Sequence, residues 1–253
     1  WTVMIDPATI REDNLRNSLL QDAQIILTPF ENWTISAGQF IFPFGLEGLM
    51  SSARLDFAER SMLTTKLNWA NFRDIGFTIR HNIKLAGIEI QPTIGLLNGE
   101  RLNRWDLNES MDFIGRLVVS PTEHLHFAVA HYNGWAGANE TRSLWSGVEL
   151  MFTQDKFTVY GEFAAGKNAG ININNFYLSG TYNFFENLQL ALRYDYLDNN
   201  SDTPLNAVTE KTIGLNYFIE GHNSKLQLNY IFRGEEGTSI NNDGIRFNLQ
   251  TAF

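Results

Sequence analysis

Gly244-Ile-Arg-Phe-Asn-Leu-Gln-Thr-Ala-Phe253 is the stretch that decides the fold. Taken alternately, Ile245, Phe247, Leu249, Thr251 and Phe253 fall on one side, and Arg246, Asn248, Gln250 and Ala252 on the other. An extended strand turns successive side chains to opposite faces, so this segment carries one greasy and one polar surface. A chain that stops on an aromatic residue at the end of such a strand fits an outer-membrane β-barrel, with apolar side chains toward lipid and polar ones toward a wet interior.

The same alternation recurs upstream. Segment 73–85 sets Ile75, Phe77, Ile79, Ile83 and Leu85 against Asp74, Gly76, Thr78, Arg80, Asn82 and Lys84, with only His81 out of place. Segments 188–197 and 224–233 repeat it with Leu188, Leu190, Leu192, Tyr194 and Tyr196, and with Leu226, Leu228, Tyr230 and Phe232. Period-2 reading predicts about fourteen strands, near 1–7, 20–29, 33–42, 73–85, 87–97, 111–120, 124–133, 143–153, 156–166, 174–185, 188–197, 208–219, 224–233 and 245–253. Most are about ten residues long, the length a tilted strand needs to cross a hydrocarbon layer.

The connections sort by length. Tight turns such as Ser120-Pro-Thr-Glu123 and Phe185-Glu-Asn187 alternate with longer polar links near 8–19, 43–72, 98–110, 134–142, 167–173, 198–207 and 234–244. Short turns on one rim and long loops on the other are the pattern of an outer-membrane barrel, turns periplasmic and loops outside. Trp33, Phe184, Phe185, Tyr217 and Phe253 fall near the short-turn rim, as an interfacial girdle would. The expected fold class is therefore all-β, a transmembrane antiparallel up-and-down β-barrel, located in the bacterial outer membrane.

Composition narrows the chemistry. The chain has 253 residues, is 43% hydrophobic and 19% charged, and contains no cysteine. Disulfides, thiolate metal sites and a catalytic thiol are thereby excluded. A formal net charge of -9 argues against a nucleic-acid partner, since phosphate backbones are bound by clustered Lys and Arg. No run reaches the roughly 18 apolar residues of a spanning helix. Trp1 begins directly inside a predicted strand, which reads as a mature or front-truncated chain. His124 and His126 share a face without a converging third ligand, so no metal is expected. No phosphate loop or nucleophile elbow is present, and nothing calls for an enzyme or a cofactor.

Gly38-Gln-Phe-Ile-Phe-Pro-Phe-Gly-Leu-Glu47, Ser51-Ser-Ala-Arg-Leu-Asp-Phe-Ala-Glu-Arg-Ser61 and Arg73-Asp-Ile-Gly76, then Arg193-Tyr-Asp-Tyr-Leu-Asp198 and Thr212-Ile-Gly-Leu-Asn-Tyr217, resemble the phosphate-selective porin O and P family. The resemblance implies a sixteen-stranded, usually trimeric porin that passes anions such as phosphate and folds its third long loop inward. The corresponding segment here is 43–72, about thirty residues, long enough to expect a functional role. On this reading residues 1–253 form one barrel domain, with 43–72 folded into the lumen and two strands of the family's barrel lying before Trp1. Small hydrophilic solutes or anions, outer-membrane lipid and two further copies of the chain are the expected partners.

The residues expected to line or constrict the channel are Arg54, Arg60 and Lys66 in the loop and Arg80, Arg116, Glu149, Glu162 and Arg193 on the wall. A guanidinium can replace part of an oxyanion's hydration with directional N–H donors, and facing carboxylates create a transverse field. The alternative is that these charges pair into structural salt bridges, and that Glu59 and Arg60 latch the loop to the wall. Inward acids balance inward bases, so anion preference does not follow from count. A barrel sleeve around a partner protein, a barrel enzyme and a soluble β-rich binding protein are the rival functions.

Overall fold

The computed structural model describes residues 2–5, 20–66, 73–237 and 240–251. Trp1, the end of the first predicted strand, the 8–19 link, residues 67–72 and the terminal Ala252 and Phe253 lie outside them. The strands are β1 (Thr2–Ile5), β2 (Leu20–Leu27), β3 (Trp33–Ile41), β4 (Arg73–His81), β5 (Ile83–Leu85), β6 (Ile88–Leu97), β7 (Asp112–Thr122), β8 (Leu125–Ala136), β9 (Thr141–Gln154), β10 (Phe157–Asn168), β11 (Ile171–Phe185), β12 (Leu188–Asp198), β13 (Val208–Glu220), β14 (Ser224–Glu235) and β15 (Gly244–Thr251). They make a single 15-stranded sheet in which each strand pairs antiparallel with its sequence neighbour, except that β4 and β5 both pair with β6. β5 continues β4 past Asn82 and pairs with β6. Among the described residues β1 and β15 are the two ends of the sheet.

The polarity is the reverse of a soluble protein. Ile75 and Phe77 are each 40% exposed, Leu228 49% and Phe247 68%, while Asp74, Glu149, Asp195, Asn216 and Lys225 on the opposite face are buried. Lipid takes the place of a core for the outer face, and antiparallel pairing satisfies the backbone groups that hydrocarbon cannot. Trp33, Phe184, Phe185 and Tyr217 are exposed at the short-turn rim. His81, the outlier of its face, stacks on Trp33 at 4.2 Å between ring centroids and sets Nδ1 3.2 Å from the Asn32 carbonyl.

β9 and β11 run further toward the long loops than the apolar alternation reaches, to Thr141 and Ile171. Ladder hydrogen bonds come from the backbone, so pairing continues through polar segments such as Asn172–Asn175 after the apolar signal fades.

The long segment after β3 turns back among the inward side chains. It contains α1 (Leu46–Leu49), a 3-10 turn at Ser52–Arg54 and α2 (Met62–Lys66). Phe42 and Phe44 pack edge-on against Trp145, and Phe42 also against Tyr132. Gly147 makes room for this: a Cβ there would lie 2.9 Å from two Phe44 ring atoms. Ser61 begins α2, its hydroxyl accepting from the Thr64 N–H at 3.2 Å as an N-cap does. Residues 42–63 thus meet the inner face of β8 to β14 with Phe42, Phe44, Leu55, Phe57, Met62 and Leu63 all buried.

Candidate functional site

A single carboxylate in the apolar run from Phe42 to Leu49 organises the inturned segment. Glu47 is 1% exposed. A buried carboxylate without partners would be costly, and here every polar atom is engaged. Its N–H donates to Glu162 Oε1 at 2.7 Å, its Oε2 accepts from the Ser61 N–H at 2.7 Å, and its Oε1 lies 3.7 Å from Arg193 Nη1. Its carbonyl accepts from Arg60, which also donates to the Met50 carbonyl at 2.7 Å. The entering and returning limbs of the segment are therefore joined to each other and to β10 and β12.

Arg193 serves the returning limb. It forms an ion pair with Asp195 at 2.7 Å, donates to the Glu59 carbonyl at 3.0 Å and covers the Phe57 ring at 4.4 Å. Asp195 in turn accepts from the Met62 N–H at 2.9 Å. At the tip, Lys225 Nζ donates to the Leu55 carbonyl at 2.5 Å, Asn216 to that of Asp56 at 2.7 Å, and Asn229 accepts from the Ala58 N–H at 2.7 Å. The tip therefore lies beside the short-turn ends of β13 and β14. Burial pushes the Asp56 carboxyl above its ordinary range, against the pull of Tyr160, His222, Lys225 and Gln189.

A second group lies on β7 to β9. Arg116 makes a two-pronged pair with Glu149, both contacts 2.8 Å, and His126 Nε2 is 3.5 Å from the same carboxylate. Ala128 and Ala130 on the intervening β8 are small enough to let the guanidinium reach across. Bidentate geometry in a partly desolvated site holds both partners of the Arg116–Glu149 pair in place.

The sequence-selected residues thus separate. Arg60, Glu162 and Arg193 converge on Glu47; Arg116 and Glu149 pair with each other. Arg54 and Lys66 are exposed at the ends of the 3-10 turn and α2. Arg80 is exposed on the inward face of β4, between Thr34 and Thr93 in register, and among the described residues it has no hydrogen-bond or ion-pair partner. Glu59 reaches β15 through Arg246 at 3.1 Å, both half exposed. Glu47 is not among the residues that the sequence marks as lining or constricting the channel. Its placement inside Phe-Pro-Phe-Gly-Leu-Glu-Gly-Leu was the available signal, because an isolated acid in such a run needs a buried partner.

The phosphate-selective porin O and P family matches residues 6–150 of the chain. In structure the chain is similar to the outer membrane channel DcaP of Acinetobacter baumannii, with a TM-score of 0.56 and 14% identity over 98% of this chain and 76% of that one. It is also similar to the outer membrane protein opdK from Pseudomonas aeruginosa, with a TM-score of 0.42 and 12% identity over 87% and 75%. At such identities the first likeness is one of fold, and the second is too slight to build on. No curated protein sequence matches.

Proposed function

Because this chain belongs to the phosphate-selective porin O and P family and resides in the bacterial outer membrane, we propose that residues 1–253 form one barrel domain passing small hydrophilic solutes, anions such as phosphate among them, through an off-centre aqueous path. The described part of the 43–72 segment, residues 43–66, occupies the β8 to β14 side of the lumen and narrows it. Solute moves along the β3 to β7 side. Three barrels assemble side by side, as the family resemblance implies.

The observation that carries this reading is the unequal treatment of the inward charges. Under the inturned segment Arg193, Asp195, Glu47, Glu162 and Lys225 are buried and bonded, whereas Arg80 faces the interior exposed and unpaired among the described residues. An unpaired guanidinium beside the hydroxyls of Thr34 and Thr93 offers N–H donors to a passing oxyanion without a carboxylate to compete. Arg116 keeps a smaller share of this role, its charge neutralised by Glu149. Because the interior carries the chain's own segment, packed by its own aromatics, a sleeve for a partner protein is the weaker reading.

The test is electrical. Purified protein in a planar bilayer should give discrete open-state steps in KCl and a reversal potential of anionic sign under a salt gradient, retained when phosphate replaces chloride. Absence of steps rejects the porin; steps with a cationic reversal potential reject the anion preference alone.

A further inference from the structure

The lipid-facing surface of β7 to β11 breaks its own pattern. Gly115, His131, Ser146, Ala165 and Asn174 are direct cross-strand partners, one unbroken row of small or polar residues on an otherwise apolar face. His131 Nδ1 and Ser146 Oγ are 2.9 Å apart. The next row toward the short turns is Leu117, Val129, Val148, Phe163 and Phe176. Between these two rows lies a groove of about 670 Å³ with an almost wholly apolar lining, opened where Gly115 leaves the outer face of the sheet bare.

Toward the long loops the same strands turn cationic. Lys167 stands one row above Ala165, beside Asn133 and Leu144, and Arg142 one row higher, opposite Trp135. Arg142 lies over the Trp135 ring at 5.5 Å and donates to Asn133 at 3.1 Å. Both cations are exposed, and among the described residues neither pairs with a carboxylate. A Trp with basic neighbours marks the level where hydrocarbon gives way to headgroups. The neighbouring acids are Glu140 in the adjoining turn and, further round, Asp202 and Asp198; Asn172 donates to Asp202 at 2.6 Å, and Asp198 accepts from the Asn200 N–H at 3.1 Å.

From headgroup level inward the surface thus offers two unneutralised cations, a hydrogen-bonding pair and an apolar trough. Bonded only to each other, an imidazole and a hydroxyl still carry unmet polar valences toward hydrocarbon, so a lipid able to meet them has an advantage over one that cannot. We propose that this face is a binding site for a phosphorylated lipid of the leaflet nearest the long loops: phosphate on Arg142 and Lys167, a linkage carbonyl or hydroxyl on His131 and Ser146, and an acyl chain in the groove between Val129, Val148 and Phe163. The site is on the exterior and is independent of what the lumen conducts.

Native mass spectrometry of the purified full chain, titrated with lipid A and with phosphatidylcholine, tests it. The protein should retain lipid A in preference, and the Arg142→Gln/Lys167→Gln variant should weaken that retention roughly tenfold or more, as loss of two juxtamembrane cations predicts. Ser146→Val, which fills the trough with a lipid-compatible side chain, should also reduce lipid A retention, while Lys211→Gln on the outward face of β13 should leave it unchanged. Equal retention of lipid A by all four proteins overturns the proposal. So does displacement of lipid A by inorganic phosphate, which would make the ligand a free ion, or dissociation of an oligomer by Ser146→Val, which would make the face a contact between copies. If the double variant does not assemble, Ser146→Val decides alone.

Discussion

The two sides of the lumen use the same residue types to opposite ends. Along β10 to β14 Glu162, Arg193, Asp195 and Lys225 are buried and tied to the inturned segment, as with Glu162 to the Glu47 N–H and Lys225 to the Leu55 carbonyl, while Arg233 pairs with Glu210 at 2.7 Å nearer the long loops. Along β4 to β6 Asp74 is buried, accepting from the Ile75 and Gly99 N–H groups at 2.8 Å, but the other inward charges stay wet: Arg80 is exposed, and Lys84 and Glu89 form a 3.0 Å pair with side chains 76% and 62% exposed. An exposed pair of that kind is worth little and can be remade around a passing ion, whereas a buried network breaks only at high cost. One side is therefore scaffold, and the other is the side that the proposed function gives to solute.

Arg193→Met should break this contrast most severely. It removes the ion-pair partner of Asp195 and one of the two cations beside Glu47, leaving Arg60 as the other, a loss of about 3–5 kcal/mol by the usual cost of breaking a buried pair. Thermal unfolding in detergent, read by near-ultraviolet circular dichroism, checks it, and an unchanged midpoint would contradict the scaffold assignment. Gly147→Val comes next: its side chain collides with Phe44 and should cost about 1–3 kcal/mol as overpacking does. The same substitution at Gly180, where the closest atom to an added Cβ is 3.9 Å away, should be milder.

Glu47→Gln tests the anchor without adding bulk. It removes charge-assisted contacts worth about 1.5–3 kcal/mol, so the barrel should persist while open-channel noise and mean conductance rise. A quiet trace at the original conductance would show that the segment is held by something else. Arg80→Gln should move the reversal potential toward cations with no change in unfolding midpoint, and by more than Arg116→Gln does. Equal shifts from the two would erase the distinction between a free and a neutralised guanidinium.

The smallest effect is on pH. The Asp56 carboxyl is raised by burial, so the docked tip binds its proton more tightly than the unfolded chain does. Its contribution to docking is complete below the ordinary carboxylate range and is lost as pH rises through the elevated value. Channel noise should therefore increase from acid toward neutral pH, and Asp56→Asn should flatten that trend.

Strand order, the inside-out polarity and the alternation of turns and loops were legible in the sequence because a period of two residues is enforced locally at every strand. Even the family signature around Gly38–Glu47 could be read as text. Local pattern determined which side chains face inward, but not which of them meet. Arg116 finds Glu149 across an intervening strand, and Glu47 meets Arg193 across 146 positions of chain, separations that no spacing rule encodes. Only the tertiary structure decided that Arg193 and Glu162 are consumed by the inturned segment while Arg80 is left exposed. The physical reason is that burial and pairing belong to the space between elements, and that space exists only once the sheet has curled around its own loop.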